Sequence, residues 1–496
     1  MTSSRNNPAQ IFPGRGVGFL TLGASLHNVL TRLKALPQSY PTIDLSYSAS
    51  DPLHKPVLIE LPENGLRLRF DGADQRLRLI EVLDFTKIPL VYKALDVVKG
   101  SPPPQGPTFR HVYNRLFGPS YPGEYIPPAR GESHGVYILS YPGVAFSFPL
   151  LHSAWSEQRD FVSLMSSSAA SPATSMAVFQ GSSWADARRS LYTRQPQYPR
   201  STALVGKNRD SVADEVEEVR VLGGGKVELR RRSSSSFWIT LSETTPQDLI
   251  AELGPPDAIY KKLDRRIMIH GGQPPGSTKP IVSSEGLHPV DLDQSSENSA
   301  TDDSDEDAST APSKQTTECF YNYFNHGFDV LISHPTAPGP PFPGSESKGY
   351  FPPLSPSKLT VTKLLLHGNV PGSYPFNRHR RCRWVIDIGS QSQPLTSETP
   401  YPEISEHLKR VWKDSYSSPS EEASLQRAMV LNRGWGDTPG SSMELLGGWE
   451  ENADSKHWDA SSGNGMESLG NTELFGFPGL LFEVLKNGAV SCLTVY

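Results

Sequence analysis

The chain has 496 residues, 36% of them hydrophobic, and a formal net charge of −6 at pH 7. This length is enough for two or more domains, and the mildly acidic balance gives no overall indication of nucleic-acid or anionic-surface binding. Its 41 glycines and 45 prolines indicate a globular protein with many loops rather than a uniformly compact one.

The first predicted element is a helix over residues 25–36. Apolar residues recur there at helical spacing and form one stripe, at Leu26, Val29, Leu30, Leu33 and Leu36. Ser25 is a suitable N-cap, and Pro37 cannot continue the helix. We therefore expect a short amphipathic helix that covers an apolar surface.

Three antiparallel strands are predicted after this helix, at Val57–Leu61, Leu66–Phe70 and 77–83. Asn-Gly and Asp-Gly pairs at 64–65 and 71–72 interrupt runs in which apolar and polar residues alternate, and this combination is the strongest short-range indication of hairpins. Because side chains alternate along a strand, one face of the sheet is apolar. The predicted unit is the helix packed on that face of an antiparallel meander.

The same order of elements returns three times along the chain. Predicted helices at 108–117, 245–254 and 404–411 each precede a predicted meander. A glycine-led strand recurs in all four copies, as NGLRLRF, PGVAFSF, HGFDVLI and PGLLFEV. The sequence therefore predicts an α+β fold of repeated helix plus antiparallel β-meander units, although a chance match of short alternating strands remains the alternative.

Composition divides the chain further. Strands are also predicted at 216–222, 227–231 and 237–241, whereas three stretches rich in Ser, Pro, Gly or acidic residues are too polar to form a core. We expect a disordered N-terminus (1–16), two units (17–150), a β-rich middle region leading into the third unit (176–270), a disordered acidic insert (271–315), the sheet of the third unit (316–390, with a loop at 335–356) and a fourth unit (400–496, with a disordered insert at 415–471).

Catalytic signatures are not found in the sequence. It contains no P-loop, HExxH, GxSxG or kinase motif. Cys319, Cys382 and Cys492 have no metal-ligand spacing, and hydrogen-bonded loop histidines are the favoured interpretation of His326 and His367. We expect no catalytic, cofactor-binding or metal-binding residues, and an enzyme is the less favoured class.

The sequence also bears on localisation. No apolar stretch approaches the roughly 20 residues of a transmembrane helix. Residues 1–16 lack the apolar region of a signal peptide. Together with the sparse cysteines, these features predict a cytoplasmic protein.

Clustered arginines are the main candidates for a binding surface. Alternation predicts that three of them lie together on the sheet face opposite the helix, and a second group forms a dense run; the candidates are Arg67, Arg69, Arg78, Arg378, Arg380, Arg381 and Arg383. A solvated face balanced by nearby glutamates is the plainer interpretation. The alternative is a surface that binds an acidic partner or phospholipid headgroups.

A weak short-motif candidate lies at Trp238 and Leu241. The sequence WITL has the aromatic-x-x-aliphatic pattern of motifs that bind Atg8-type proteins, and it follows four serines. A buried strand is the competing interpretation of the same residues. Trp238→Ala separates the two, since it abolishes either Atg8 binding or folding.

Several strings resemble one known family from residue 17 to the end of the chain. They include TLGASLHNVL, NGLRLRFDGADQRLRLIEV, PTFRHVYNRLFGPSYPGEY, YNYFNHGFDVLI, LLLHGNVPGSY and LLFEVLKNGAVSCLTVY. In this order they resemble the phagophore assembly factor family (uncharacterised protein family 0183). The polar inserts interrupt the resemblance but do not change its order.

This resemblance carries functional expectations. It implies a non-enzymatic autophagy regulator, a protein-interaction scaffold that pairs with a WD-repeat β-propeller protein. It implies a cytoplasmic protein that is found transiently at the phagophore assembly site and associates peripherally with autophagic membranes through its partner. It brings no cofactor and no nucleic-acid partner. A Golgi or exocytic trafficking factor and a direct phosphoinositide-binding module are the alternatives.

Overall fold

A computed structural model describes residues 8–99, 105–194, 214–261, 318–335, 358–388, 394–413, 416–432 and 471–496. Within these ranges the chain forms two halves that repeat one order of elements, one before residue 195 and one after residue 213. No helix in the described part of the chain is long and apolar enough to cross a membrane.

The described part of the first half contains thirteen strands and four α-helices. In chain order they are β1 (Ala9–Phe12), β2 (Gly16–Val17), β3 (Leu20–Thr21), α1 (Leu26–Lys34), β4 (Asp44–Ser46), β5 (Val57–Leu61), β6 (Leu66–Phe70), β7 (Leu77–Val82), β8 (Leu90–Tyr92), β9 (Leu95–Asp96), α2 (Phe109–His111, continued by a π-helical turn at Val112–Leu116), β10 (Glu124–Ile126), β11 (His134–Tyr141), β12 (Val144–Leu151), α3 (Phe161–Met165), β13 (Ser175–Phe179) and α4 (Trp184–Ala187). Short 3₁₀ turns lie at Pro62–Asn64 and His152–Ala154.

The described part of the second half repeats this plan. Its elements are β14 (Val216–Val221), β15 (Lys226–Arg231), β16 (Phe237–Thr240), α5 (Pro246–Leu253), β17 (Ala258–Lys261), β18 (Cys319–Tyr323), β19 (Phe328–Ser333), β20 (Thr360–His367), β21 (Trp384–Ile386), β22 (Leu395–Thr396), α6 (Tyr401–Val411), α7 (Pro419–Leu425), β23 (Met429–Asn432), β24 (Asn471–Phe477), β25 (Leu480–Val484) and β26 (Val490–Val495).

Among the described residues, each half forms one eight-stranded and one five-stranded sheet. The eight-stranded orders are β10-β11-β12-β13-β7-β6-β5-β4 and β17-β18-β19-β20-β26-β25-β24-β23, and the five-stranded orders are β3-β2-β1-β8-β9 and β16-β15-β14-β21-β22. Two four-stranded meanders therefore join edge to edge in each large sheet, through the antiparallel pairs β7·β13 and β20·β26. Each small sheet contains a parallel pair, β1·β8 in the first half and β14·β21 in the second, which joins a strand that precedes the first meander of that half to a strand that follows it.

The predicted fold class is confirmed, and the recurring glycine explains why it was visible in the sequence. In every meander the turn between the second and third strands contains a glycine with positive φ, at Gly65, Gly143, Gly327 and Gly479. A left-handed residue closes such a tight turn, and glycine adopts this conformation without a Cβ penalty. At Gly143 a Cβ would also meet the Gly14 nitrogen at 2.1 Å.

Helix α1 covers the first meander as the apolar stripe predicted. The Ser25 side chain accepts a hydrogen bond from the Asn28 N–H at 3.2 Å, so it is the N-cap. Leu30 of the helix and Leu68 and Phe70 of the sheet belong to one buried apolar cluster. Leu36 lies beyond the helix and is 46% exposed, so the predicted stripe is one residue too long.

Several predicted boundaries are wrong. Residues 1–16 were expected to be disordered, but β1 lies at Ala9–Phe12 and pairs with β8. The second unit extends past 150, because β13 is its fourth strand rather than part of the middle region. Helix α7 and strand β23 occupy part of the insert predicted at 415–471. The insert predicted at 271–315 lies outside the described residues, as does the loop at 335–356 except for its first residue.

Candidate functional site: an arginine-rich junction between the halves

The two halves meet where the turn before β7 contacts a segment that follows β20. We call the second of these, residues 368–383, the junction segment. The Gln75 side chain donates to the Asn369 carbonyl at 2.8 Å, and the Asn369 amide donates to the Gln75 side-chain oxygen at 2.7 Å. Nearby, His27 Nδ1 lies 3.0 Å from the Asn377 carbonyl oxygen. All these groups are buried, so the contact is a specific interface rather than a loose linker.

The turn from Asp71 to Arg76 forms the first half's side of this interface. Asp71 Oδ1 accepts from the Asp74 N–H at 2.6 Å, and Asp71 Oδ2 accepts from the Arg76 N–H at 3.2 Å. This Asx-type turn turns the chain back and directs Asp74 and Arg76 toward the second half. Gln75, within the turn, has φ of 51°, a conformation that non-glycine residues adopt rarely.

Glu215, just before β14, is the centre of the charge network. Its Oε2 lies 2.9 Å from Arg76 Nη2, 2.7 Å from Arg232 Nη2 and 3.0 Å from Arg380 Nη1. Burial would raise the pKa of Glu215, but the positive charges of Arg380, Arg76 and Arg232 outweigh it and lower the pKa to about 2. Glu215 is therefore ionised at any physiological pH and links the two halves.

A second group of charges lies beside the first. Arg383 Nη1 contacts Asp74 at 2.7 Å, and its Nε contacts Glu398 at 3.0 Å. The fully buried Arg381 donates to the Ala73 and Gly368 carbonyls at 2.6 Å each and contacts Glu398 at 3.2 Å. Burial would raise the pKa of Glu398, but Arg381 and Arg383 lower it to about 2.

Two clefts open on this junction. One has a volume of about 330 Å³, and its lining includes Asp71, Asp74, Arg78 and Arg383. The other has a volume of about 220 Å³; it is lined by Asp74, Arg76, Glu217, Glu218, Arg230, Arg380, Arg381 and Arg383. We call the second one the arginine cleft. Glu215 and Arg380 are held in ion pairs and keep their charges near neutral pH, so the site is suited to charge recognition rather than proton transfer.

The structure separates the predicted arginines into three groups. Arg380, Arg381 and Arg383 line the arginine cleft, and Arg78 lines the neighbouring one. Arg378 is half-buried, with its guanidinium 5.2 Å from the centre of the Tyr374 ring. Arg67 and Arg69 remain on the first sheet, where they contact Glu60 at 2.8 Å and Glu81 at 2.7 Å.

The expected free face bearing Arg67, Arg69 and Arg78 is therefore incorrect. A β-bulge at 69–70 shifts the register, so that Arg69 lies opposite Leu79 and Arg78 falls out of the row. Arg78 is buried and contacts Asp71 at 2.5 Å. Leu79 belongs to a small apolar cluster with residues of α4, so that side of the sheet is partly covered. Each arginine is paired with a carboxylate instead of forming an unbalanced positive patch.

Two of the four arginines predicted in the junction segment are likewise not part of an open surface. Arg380 and Arg381 are 4% and 3% exposed. The sequence could not show this, since their partners are distant along the chain: Glu215 is 165 residues before Arg380, and Ala73 is 308 residues before Arg381. Asp71 and Asp74, in the turn before β7, contact Arg78 at 2.5 Å and 3.7 Å, and Asp71 is itself buried.

Trp238 lies on the edge strand β16, and Leu241 directly follows that strand. Trp238 is 50% exposed, whereas Leu241 packs against the core of the second half. The strand is thus half-exposed rather than buried, although a partner would reach only one of the two motif side chains without a rearrangement. Binding to an Atg8-type protein stays a prediction.

A buried cluster anchors the junction segment to the second large sheet. Asp329 Oδ2 is 2.8 Å from His367 Nε2, and Asp329 Oδ1 is 2.8 Å from His379 Nε2. The two imidazole rings stack with centres 3.8 Å apart and planes 16° apart. The ligand atoms of these three residues lie within 4.8 Å of one another, a spacing compatible with a metal ion, but each carboxylate oxygen is already paired with an imidazole. His367 is hydrogen-bonded, as predicted.

Comparison with known proteins gives consistent matches. A sequence model of the family described as phagosome assembly factor 1 matches residues 16–285 and 303–496. A PHAF1 protein of Arabidopsis thaliana is 26% identical over 497 residues, covering 98% of this chain and 92% of that protein. PHAF1 proteins of Drosophila melanogaster and Caenorhabditis elegans are 25% and 22% identical, covering 92% and 77% of this chain and 85% and 78% of their own lengths. No solved structure matches significantly.

Proposed function

The chain belongs to the phagosome assembly factor 1 family, and from that membership we propose that it is a non-enzymatic scaffold for autophagy at the phagophore assembly site. The observation that carries this proposal is a family match over nearly the whole chain, on both sides of the junction. A scaffold role fits a chain whose halves are tied by buried polar contacts, since a rigid body presents its surfaces in a constant arrangement.

We further propose that the partner is a WD-repeat β-propeller protein and that association with autophagic membranes is indirect, through that partner. Two exposed edge strands support a docking role. Strand β16 ends one small sheet with Trp238 half-exposed, and β17 ends a large sheet with Ile259 57% exposed. An edge strand offers unpaired backbone groups to which another chain adds by β-augmentation, and apolar side chains beside it supply specificity.

A pull-down from the source cell with the full chain as bait tests this proposal. The expected result is capture of a WD-repeat propeller protein by the wild type. Trp238→Glu and Ile259→Glu then locate the docking edge, since each variant is the matched control for the other. Loss of capture with one variant and not the other identifies the edge. Capture unchanged by both would refute edge docking, and absence of any propeller protein would refute the partner assignment.

Imaging tests the proposed location. A fluorescent fusion of the full chain is expected to be cytoplasmic in fed cells and to form transient puncta at the phagophore assembly site on starvation. Steady Golgi puncta that do not respond to starvation would instead favour a role in exocytic traffic.

A further inference from the structure

The arginine cleft is lined by more arginines than carboxylates. Five arginines and three carboxylates line it, and Glu215 and Glu398, which lie just outside the lining, contact four of these arginines. Some of these groups are used within the fold: Arg381 is fully buried and bonded to backbone carbonyls. Arg230 and Arg383 are 43% and 41% exposed at their side chains and form the accessible rim.

Arg380 is the least satisfied group at the base of the cleft. Its side chain is 4% exposed, and its Nη2 donates to the Val216 carbonyl. Its Nη1 is close to Glu215 but not oriented for a hydrogen bond, and its Nε has no partner among the described residues. A buried guanidinium usually has most of its five N–H groups bonded, so unused donors beside a cleft indicate a missing acceptor.

The charges around Arg380 also indicate that an acceptor is missing. Its one carboxylate contact, Glu215, is shared with Arg76 and Arg232. Burial and the nearby charge of Arg76 lower the pKa of Arg380 to about 10, against the attraction of Glu215. The site therefore favours an additional negative charge.

We propose that the arginine cleft binds a single phosphate monoester, with Arg380 and Arg76 at its base and Arg230 and Arg383 at its rim. A phosphate monoester carries about −1.5 to −2 charges at pH 7, and its oxygens are strong acceptors for the unused N–H groups of Arg380. Planar guanidinium forks bind phosphate oxygens in pairs, and several arginines around one group satisfy its tetrahedral oxygens. This inference is independent of the proposed scaffold role.

The carboxylates of the cleft make the site selective. Asp74, Glu217 and Glu218 line the same 220 Å³ space. They would repel further anionic groups of a polyphosphorylated ligand, because like charges at short range in a partly desolvated site are costly. We therefore expect a single phosphate to bind better per site than a densely phosphorylated polyol does.

The test is a titration of the full chain with inorganic phosphate, monitored by isothermal calorimetry with sodium chloride at matched ionic strength as the blank. The expected result is one site that glycerol 3-phosphate also occupies and that inositol hexakisphosphate occupies no more tightly. If the heat of phosphate addition does not exceed that of the chloride blank, the proposal is overturned. If inositol hexakisphosphate binds more tightly than phosphate, the proposed selectivity of the cleft is overturned.

Variants locate the site. Arg230→Gln removes a half-exposed rim charge and is expected to weaken phosphate binding at least threefold, whereas Arg410→Gln, on the exposed face of α6, leaves it unchanged. Arg380→Lys keeps the charge but loses the fork, and a folded variant is expected to bind at least tenfold more weakly. If Arg380→Lys does not fold, Arg230→Gln alone decides, and binding equal to the wild type would refute this location.

A second arm distinguishes the source of the phosphate. Vesicles of phosphatidylcholine carrying a phosphatidylinositol monophosphate are sedimented with the full chain, and glycerol 3-phosphate is then added as competitor. Sedimentation that the competitor and Arg230→Gln both reduce identifies a lipid headgroup as the ligand. Binding of soluble phosphate without sedimentation identifies a soluble phosphate monoester. Sedimentation that neither reduces, without soluble binding, would overturn the proposal.

Discussion

Asp329→Asn tests how the junction segment is held to the second half. In the wild type this buried carboxylate contacts two histidines, His367 and His379, at 2.8 Å each. Asparagine has nearly the same shape but no charge. It can accept one imidazole N–H, while its amide group meets the other ring. The substitution therefore removes the charge and at least one hydrogen bond with little change in packing.

The expected loss of stability is large. Removing one partner from a buried ion pair typically costs about 3–5 kcal/mol, because the other partner stays buried without compensation. Burial by itself would lower the pKa of His367, but Asp329 reverses this and raises it to about 10. His367 is thus the charged ring that Asp329→Asn leaves unpaired. A loss of this size corresponds to a fall in melting temperature on the order of 10 °C for one half of the chain.

The loss should also depend on pH. The pKa of His367 is higher in the folded protein than its value of about 6.5 in an unfolded chain, so its stabilisation is complete below that pH and disappears as the pH rises toward 10. The pKa of Asp329 is far below its usual range, because the two histidines outweigh the effect of burial. Its contribution is present above about pH 4 and is lost in stronger acid. The difference between wild type and variant should therefore be larger at pH 6 than at pH 9.

Urea denaturation of the full chain, followed by tryptophan fluorescence at pH 6 and pH 9, measures this difference. Asp387→Asn is the matched control, because Asp387 is 48% exposed and only 3.8 Å from Arg220, so its loss should cost less than about 1 kcal/mol. An Asp329→Asn variant within about 1 kcal/mol of the wild type at pH 6 would refute the reasoning. A difference that grew toward pH 9 would refute the assignment of the charge to His367.

Three further predictions follow from other parts of the fold. Burial and the charge of Arg380 lower the pKa of His326 to about 4, so as the pH falls the unfolded chain takes up this proton before the folded protein does. The free energy of unfolding should therefore fall between pH 6.5 and pH 4 by up to about 3 kcal/mol. His326→Gln should flatten the pH profile of urea unfolding over that range, and an unaltered profile would count against this prediction. Gly327→Ala places a Cβ 2.4 Å from a backbone oxygen at φ 87° and should lower the free energy of unfolding by more than about 2 kcal/mol. Gly224→Ala, at φ 59° with no atom within 4 Å of the new Cβ, should lower it by about 1 kcal/mol. Equal urea midpoints for the two variants would contradict this. Arg78→Ala should lower the free energy of unfolding by about 3–5 kcal/mol, because Asp71 stays buried without its partner. Arg67→Ala should lower it by less than about 1 kcal/mol, because the pair with Glu60 is partly exposed. Equal melting temperatures for the two variants would refute the argument from burial.

The short elements could be predicted from the sequence because their causes are local. Strands β5 and β6 lie at the predicted residues, since alternation of apolar and polar side chains together with a glycine turn is complete within about fifteen residues. The same holds for α5, where Thr245 and Asp248 form a capping box readable from four adjacent residues. The recurrence of these local patterns was enough to predict the repeated helix-plus-meander plan.

Only the tertiary structure decided how the units combine. Nothing in β7 or β13 indicates that they pair across about a hundred residues, because any strand edge offers the same backbone groups. Which edges meet depends on the whole chain closing around its cores.

The tertiary structure also decided which arginines are buried and which are exposed. Arg67 and Arg380 look alike in the sequence, yet one is a partly exposed partner of Glu60 and the other is buried beside Glu215. Whether a charge is solvated or buried depends on what packs over it, and residues more than a hundred positions away form that cover. The sequence by itself therefore determined which residues carry charge, and the contact between the halves determined which of those charges form a site.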